Sequence, residues 1–178
     1  TLVGVDPWHH GTLNKENEWI DKLSTLASEL IANPLLLEAE LDWLLSDNAQ
    51  SASVLGYQLG QQDAKLLLAD TILEHCLDAT SKELATGYIR GQVRTFPHSH
   101  SPLNNLIDSI ERSRPRIACE LALAGGEPLH TFDRIVSQVK QGTLKAHVLS
   151  SFNFGIETPS GKRRLNNEEL IEIVQCFD

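Results

Sequence analysis

The stretch Thr86-Gly87-Tyr88-Ile89-Arg90-Gly91-Gln92, "TGYIRGQ", sets two glycines one helical turn apart inside a run whose other residues have helical spacing. An interior glycine costs a helix about 1 kcal/mol relative to alanine, so two on one face need a packing reason. A second copy supplies it. "LGYQLG" at 55–60 places Gly56, Tyr57 and Gly60 in register with Gly87, Tyr88 and Gly91, at an offset of 87 − 56 = 31 residues. Residues four apart share a helix face, and a face without side-chain bulk lets a neighbouring helix approach closer than the usual separation of about 8–10 Å. The stripe returns as Ala118, Ala122 and Gly126, and more weakly as Ala146 and Ser150.

Helix punctuation frames these stretches. Asn33-Pro34, Ser101-Pro102, Arg114-Pro115 and Glu127-Pro128 each put a proline before an apolar-periodic run, where its missing N–H is harmless and its fixed φ suits the first turn. Thr80-Ser81-Lys82-Glu83 and Asn166-Asn167-Glu168-Glu169 offer a capping residue with Glu following, and Gly125-Gly126, Gly142 and Gly155 fall where helices should stop. Apolar residues recur at helical spacing, as in Trp19, Ile20, Leu23, Leu26, Leu30 and in Phe132, Ile135, Val136, Val139, and no alternating strand pattern competes. The pattern predicts ten helices, near 14–32, 34–46, 49–60, 64–78, 81–94, 102–113, 115–124, 128–140, 144–154 and 167–177, with longer loops at 95–101 and 155–166.

Helix pairs repeating every 31 to 35 residues with a small-residue face resemble the HEAT-like and armadillo-like α-solenoid superfamily over residues 49–178. The resemblance implies an all-α fold of stacked antiparallel helix hairpins in a right-handed solenoid, and a scaffold or recognition role with no catalytic residues. On this reading residues 1–178 form a single α-helical domain: an extended stretch at 1–13, a capping helix pair at 14–48, and solenoid hairpins at 49–178. No Met occurs, and "LIEIVQCFD" stops inside an apolar helix, which suggests a segment of a longer protein.

The formal net charge of −9 argues against general affinity for nucleic acid or an anionic membrane. The charge is divided, however. Residues 1–89 hold 4 Lys, no Arg and 14 acidic residues, whereas residues 90–178 hold 11 basic and 10 acidic residues. Cys76, Cys119 and Cys176 are odd in number and widely spaced, which supports neither a disulfide framework nor a Cys-x-x-Cys metal clip and fits a reducing, cytoplasmic compartment.

Five of the arginines, Arg90, Arg94, Arg112, Arg114 and Arg116, fall within 27 residues. Guanidinium groups bind carboxylate and phosphate bidentately, so these residues are the candidate binding surface for an acidic or phosphorylated protein partner. Ordinary placement on exposed helix ends is the competing account. Nucleic-acid binding through the same arginine-rich half is a further alternative. For metal chemistry the candidates are His98 and His100 in "PHSHS", with Asp108 in the following helix, and they carry the alternative of a metal-dependent enzyme. One His-x-His without a second paired spacing is less than a zinc signature, and no cofactor is expected. His75 and Cys76 are adjacent on a helix and point apart, so they are not a catalytic pair. "GGEP" and "PSGKRR" lack the context of a phosphate loop.

Overall fold

The computed structural model describes residues 13–144, 156–158 and 161–163. They contain eight α-helices and one small hairpin, and divide into two compact units, residues 1–99 and 100–178. The fold class is all-α. The helices expected at 144–154 and 167–177, the stripe residues Ala146 and Ser150, and the stretch before Leu13 lie outside the described residues.

In the first unit, α1 (Leu13–Ala32) stops at Asn33, which takes φ −137° and ψ 81° because Pro34 disfavours helical geometry in the residue before it. Pro34 then opens α2 (Pro34–Leu44), whose Leu37, Leu41 and Leu44 are buried at one-turn intervals. Next come α3 (Ala52–Gln62), α4 (Ala69–Cys76) and α5 (Glu83–Thr95). The broadest interface of the unit joins α3 to α5; α1 also packs on α3, and α4 packs on α2 and α5. Leu23, Leu37, Leu41, Leu55, Leu59, Ile72, Leu84 and Ile89 fill the core, all essentially inaccessible to solvent. Burial of each contributes on the order of 1.5–3 kcal/mol.

The α3–α5 interface is made by backbone. A methyl group placed on Gly56 would stand 2.1 Å from the Leu84 carbonyl oxygen, and one on Gly87 would stand 2.1 Å from the Ser53 carbonyl oxygen. Gly60 and Gly91 repeat the arrangement against Tyr88 and Tyr57, at 2.1 Å and 2.4 Å. Each glycine therefore aims an Hα at a carbonyl of the other helix, the geometry of a weak Cα–H···O contact. Contacts advance along both helices together, so the two run parallel. Exchanging residue i of α3 with residue i + 31 of α5 maps one set of contacts onto the other, since 53 + 31 = 84 and 57 + 31 = 88. The pair has approximate two-fold symmetry.

Three expectations are corrected here. Helix α4 starts at Ala69, not near residue 64, because the Asp63 carboxylate accepts the N–H groups of Leu67 and Leu68 at 2.9 Å and 2.8 Å, and Leu66 turns into left-handed geometry at φ 56°. The capping arrangement at Thr80–Glu83 does not form as expected: Lys82 is the cap residue, and the Ser81 hydroxyl accepts from the Glu83 N–H at 3.3 Å. The loop expected over 95–101 is instead a 3₁₀ turn, Pro97–Ser99, with the next helix starting at His100; the buried Ser99 hydroxyl donates to the Phe96 carbonyl at 2.7 Å.

The second unit holds α6 (His100–Glu111), α7 (Pro115–Gly125) and α8 (Thr131–Lys140), with α7 packed against both neighbours. Pro115 sits at the start of α7, and Gly126, at φ 70°, ends it. Pro128 lies in a 3₁₀ turn, Glu127–Leu129, rather than opening α8; His130 in left-handed geometry separates the two. Leu103, Ile107, Cys119, Leu121 and Leu129 form the buried centre. In the segment expected as a loop over 155–166, β1 (Ile156–Thr158) and β2 (Gly161–Arg163) pair antiparallel, Glu157 opposite Lys162. Strands of three residues are too short to leave an alternating signature in the sequence.

Candidate binding surface

The five arginines fall into two groups. Arg90 and Arg94 lie on α5 in the first unit; Arg112, Arg114 and Arg116 flank the α6–α7 turn in the second. Arg90 is half-buried, and its Nε is fully shielded with no hydrogen-bond partner among the described residues. Arg94 is exposed. Arg112 is exposed and reaches back to the Asp108 carbonyl of its own helix at 3.5 Å. Arg114 is the exposed cap residue of α7, and Arg116 pairs with Glu120 one turn on at 3.0 Å. Such an exposed i, i+4 pair contributes only about 0.3–0.5 kcal/mol, so the guanidinium remains open to exchange with another anion.

The sixth arginine of the described residues, which the sequence did not single out, behaves differently. Arg134 on α8 is buried, its side chain 8% exposed. It pairs with Asp108 at 2.6 Å and with Glu111, and donates through Nη2 to Asn104 Oδ1 at 3.0 Å and through Nε to the Leu129 carbonyl at 3.0 Å. Gln138 completes the cluster by donating to the second Glu111 oxygen at 2.5 Å. Thr131, Arg134 and Gln138 form a buried polar row at helical spacing along α8, and that row was the available signal. Beside it, burial and then Glu111 push the Cys119 thiol up to about 12, so it stays protonated at neutral pH.

The metal candidates are not brought together. His98 is exposed, its ring tilted against that of Phe96 with centroids 5.5 Å apart, and has its Nε2 on the Ala64 carbonyl at 3.2 Å. Because a carbonyl only accepts, that nitrogen carries the proton and offers no lone pair. Asp108, the third candidate ligand, is occupied by Arg134. Among the described residues no three His, Cys, Asp or Glu side chains converge on one point. His75 and Cys76 do point apart: His75 is exposed and Cys76 is buried, its thiol on the Leu73 carbonyl.

A second polar cluster lies inside the first unit. The Tyr88 hydroxyl donates to Asp63 Oδ2 at 2.8 Å, and Gln92 Nε2 donates to the Asp63 carbonyl at 2.6 Å and to the Tyr88 hydroxyl at 3.3 Å. All three residues are at most 1% exposed. Burial foremost, then the Asp63 charge, raises the Tyr88 phenol far above its ordinary value, so it is held as a neutral donor. An open groove of about 630 Å³ lies between the ends of α2 and α4, lined by Asp42, Glu74, His75 and Asp78 over Leu45 and Ala79. Its carboxylates give it the sign opposite to the arginines. No described helix is long and apolar enough to cross a membrane. Comparison with protein-family models, curated proteins and solved structures finds no match.

Proposed function

We propose that the chain is a protein-interaction segment of the HEAT-like, armadillo-like α-solenoid kind, a cytoplasmic scaffold that engages an acidic or phosphorylated protein partner through Arg90, Arg94, Arg112, Arg114 and Arg116. The observation that carries the reading is the parallel α3–α5 pair, in which two copies of one glycine-bearing stretch, offset by 31 residues in sequence, pack backbone against backbone. Equivalent helices of successive repeats run parallel in a helical solenoid, and such arrays serve recognition by presenting a continuous face. Arginine rather than lysine at all five positions suits bidentate recognition of carboxylate or phosphate. The buried thiols of Cys76 and Cys119 fit a reducing compartment.

An array of immobilised peptides, acidic, phosphoserine-containing and neutral, tests the reading with the whole chain. The wild type is expected to bind the acidic and phosphoserine peptides and to release them as salt rises. The Arg90→Glu, Arg94→Glu double variant is expected to keep its helical circular dichroism and to lose roughly tenfold or more in binding, since each charged hydrogen bond contributes about 1.5–3 kcal/mol. A variant that unfolds makes these arginines structural and overturns the reading. So does a folded variant that binds as the wild type does.

A further inference from the structure

The six arginines whose side chains are described differ in what they already hold. Arg134 sits in its carboxylate cluster, Arg116 pairs with Glu120 at 3.0 Å, and Arg112 reaches the Asp108 carbonyl at 3.5 Å. Arg94 and Arg114 are likewise engaged within the chain. Arg90 is the exception. It is half-buried, and among the described residues its guanidinium enters no hydrogen bond or ion pair. Only Nε of its three nitrogens is shut off from solvent without an acceptor.

The neighbouring residues account for this. On α5 the residues one turn to either side of Arg90 on its own face are Thr86, Gly87, Val93 and Arg94, none of them acidic. The one acid of α5 is Glu83, two turns back and exposed. Helix α3, which forms the broadest contact with α5, reads ASVLGYQLGQQ and has no acidic residue at all. A partly desolvated cation without a counter-charge attracts an anion more strongly than one in open water, because less solvent screens it. With Nε enclosed the stem is already held, so binding removes little further side-chain freedom. The other arginines must first release what they hold.

We propose that Arg90 is the anchor of the anion-binding surface, its two Nη groups donating to a carboxylate side chain of an acidic partner peptide while the remaining arginines add capture at long range. The assignment rests on the interaction reading above and deepens it by ranking its arginines. One unpartnered guanidinium supplies one positive charge and a pair of parallel N–H groups, which a carboxylate both neutralises and matches. A phosphate dianion would leave one charge uncompensated.

Binding of a fluorescein-labelled hexa-aspartate peptide to the whole chain, scanned over single variants, provides the test. Arg90→Gln is expected to weaken binding roughly tenfold or more, as the loss of a hydrogen bond to a charged group does. Arg94→Gln, Arg112→Gln and Arg116→Gln should each weaken it by only about threefold, the scale of an exposed ion pair. Acetate should displace the peptide at least as well as inorganic phosphate does. In the wild type the Arg90 Nε–H resonance should exchange slowly with water and shift as the peptide is added, a readout independent of any variant's folding. Exchange as fast as that of Arg112, a resonance that does not move, or wild-type affinity in folded Arg90→Gln would each overturn the anchor, and displacement by phosphate but not acetate would overturn the carboxylate. If Arg90→Gln binds normally while a chain carrying Arg112→Gln, Arg114→Gln and Arg116→Gln does not, the anchor falls and the broader arginine reading stands. If hexa-aspartate does not bind the wild type, both fall.

Discussion

Gly87→Ala is expected to lower the unfolding midpoint, although alanine is the better helix former. At an exposed helical site the exchange would stabilise by about 0.4–1 kcal/mol through the unfolded state. Here the new methyl would lie 2.1 Å from the Ser53 carbonyl oxygen and 2.9 Å from its carbon, and both atoms belong to backbone that cannot rotate away. The helices must separate, and overpacking of this kind costs about 1–3 kcal/mol, which exceeds the propensity gain. Gly56→Ala should do the same, because its methyl meets the Leu84 carbonyl at the same 2.1 Å. Leucine at Gly56, Gly87 or Gly91 should cost more than alanine. Urea unfolding followed by tryptophan fluorescence reads the effect locally, since Trp8, Trp19 and Trp43 all lie within residues 1–99. A higher midpoint for Gly87→Ala would show that the residue is exposed and that the interface is absent.

Arg134→Met is expected to be the most destabilising single change in the second unit. Its effect divides unequally between the two ion pairs. Asp108 is 55% exposed, so water can replace the guanidinium there and that pair contributes little. Glu111 is 17% exposed and shares its second oxygen with Gln138, so removing Arg134 strands a carboxylate in a poorly solvated place. Breaking a buried pair from one side costs about 3–5 kcal/mol, whereas replacing both partners by apolar residues is often neutral. The double variant Arg134→Met, Glu111→Leu should therefore regain most of the loss in urea unfolding followed by circular dichroism. Equal losses in the single and double variants would mean that packing rather than charge holds Arg134 in place.

The contrast between these residues shows what a sequence can disclose. Glycines at 56, 60, 87 and 91 are legible because helical spacing fixes which residues share a face, and the 31-residue offset ties one face to the other. Pro34 and Pro115 are legible for a similarly local reason, the fixed φ of proline at a helix start. The turn at Asp63 is not, because Leu66, Leu73 and Leu77 continue a helical apolar pattern through it, and only the capture of two backbone N–H groups by a side chain breaks the helix. Arg134 reads as a solvated charge since its partners Asn104 and Glu111 lie 30 and 23 residues away. The Tyr88–Asp63 contact is half legible: the repeated tyrosines stand out, but the aspartate that one of them meets lies 25 residues away.

The central claim, that α3 and α5 meet in parallel through their glycine faces, is tested most directly by nuclear Overhauser contacts between the two helices in solution. With the Gly56 methyl position 2.9 Å from the Tyr88 nitrogen, and that of Gly60 2.9 Å from the Gln92 nitrogen, strong contacts are expected from the Gly56 and Gly60 Hα protons to the Tyr88 and Gln92 amide protons. The symmetry-related contact from the Gly91 Hα protons to the Gln61 amide proton should accompany them, since that methyl position is likewise 2.9 Å from the Gln61 nitrogen. Contacts from these glycines to side chains of another helix, with none to the amides 32 residues on (88 − 56, 92 − 60), would contradict the parallel pair and the repeat reading built on it.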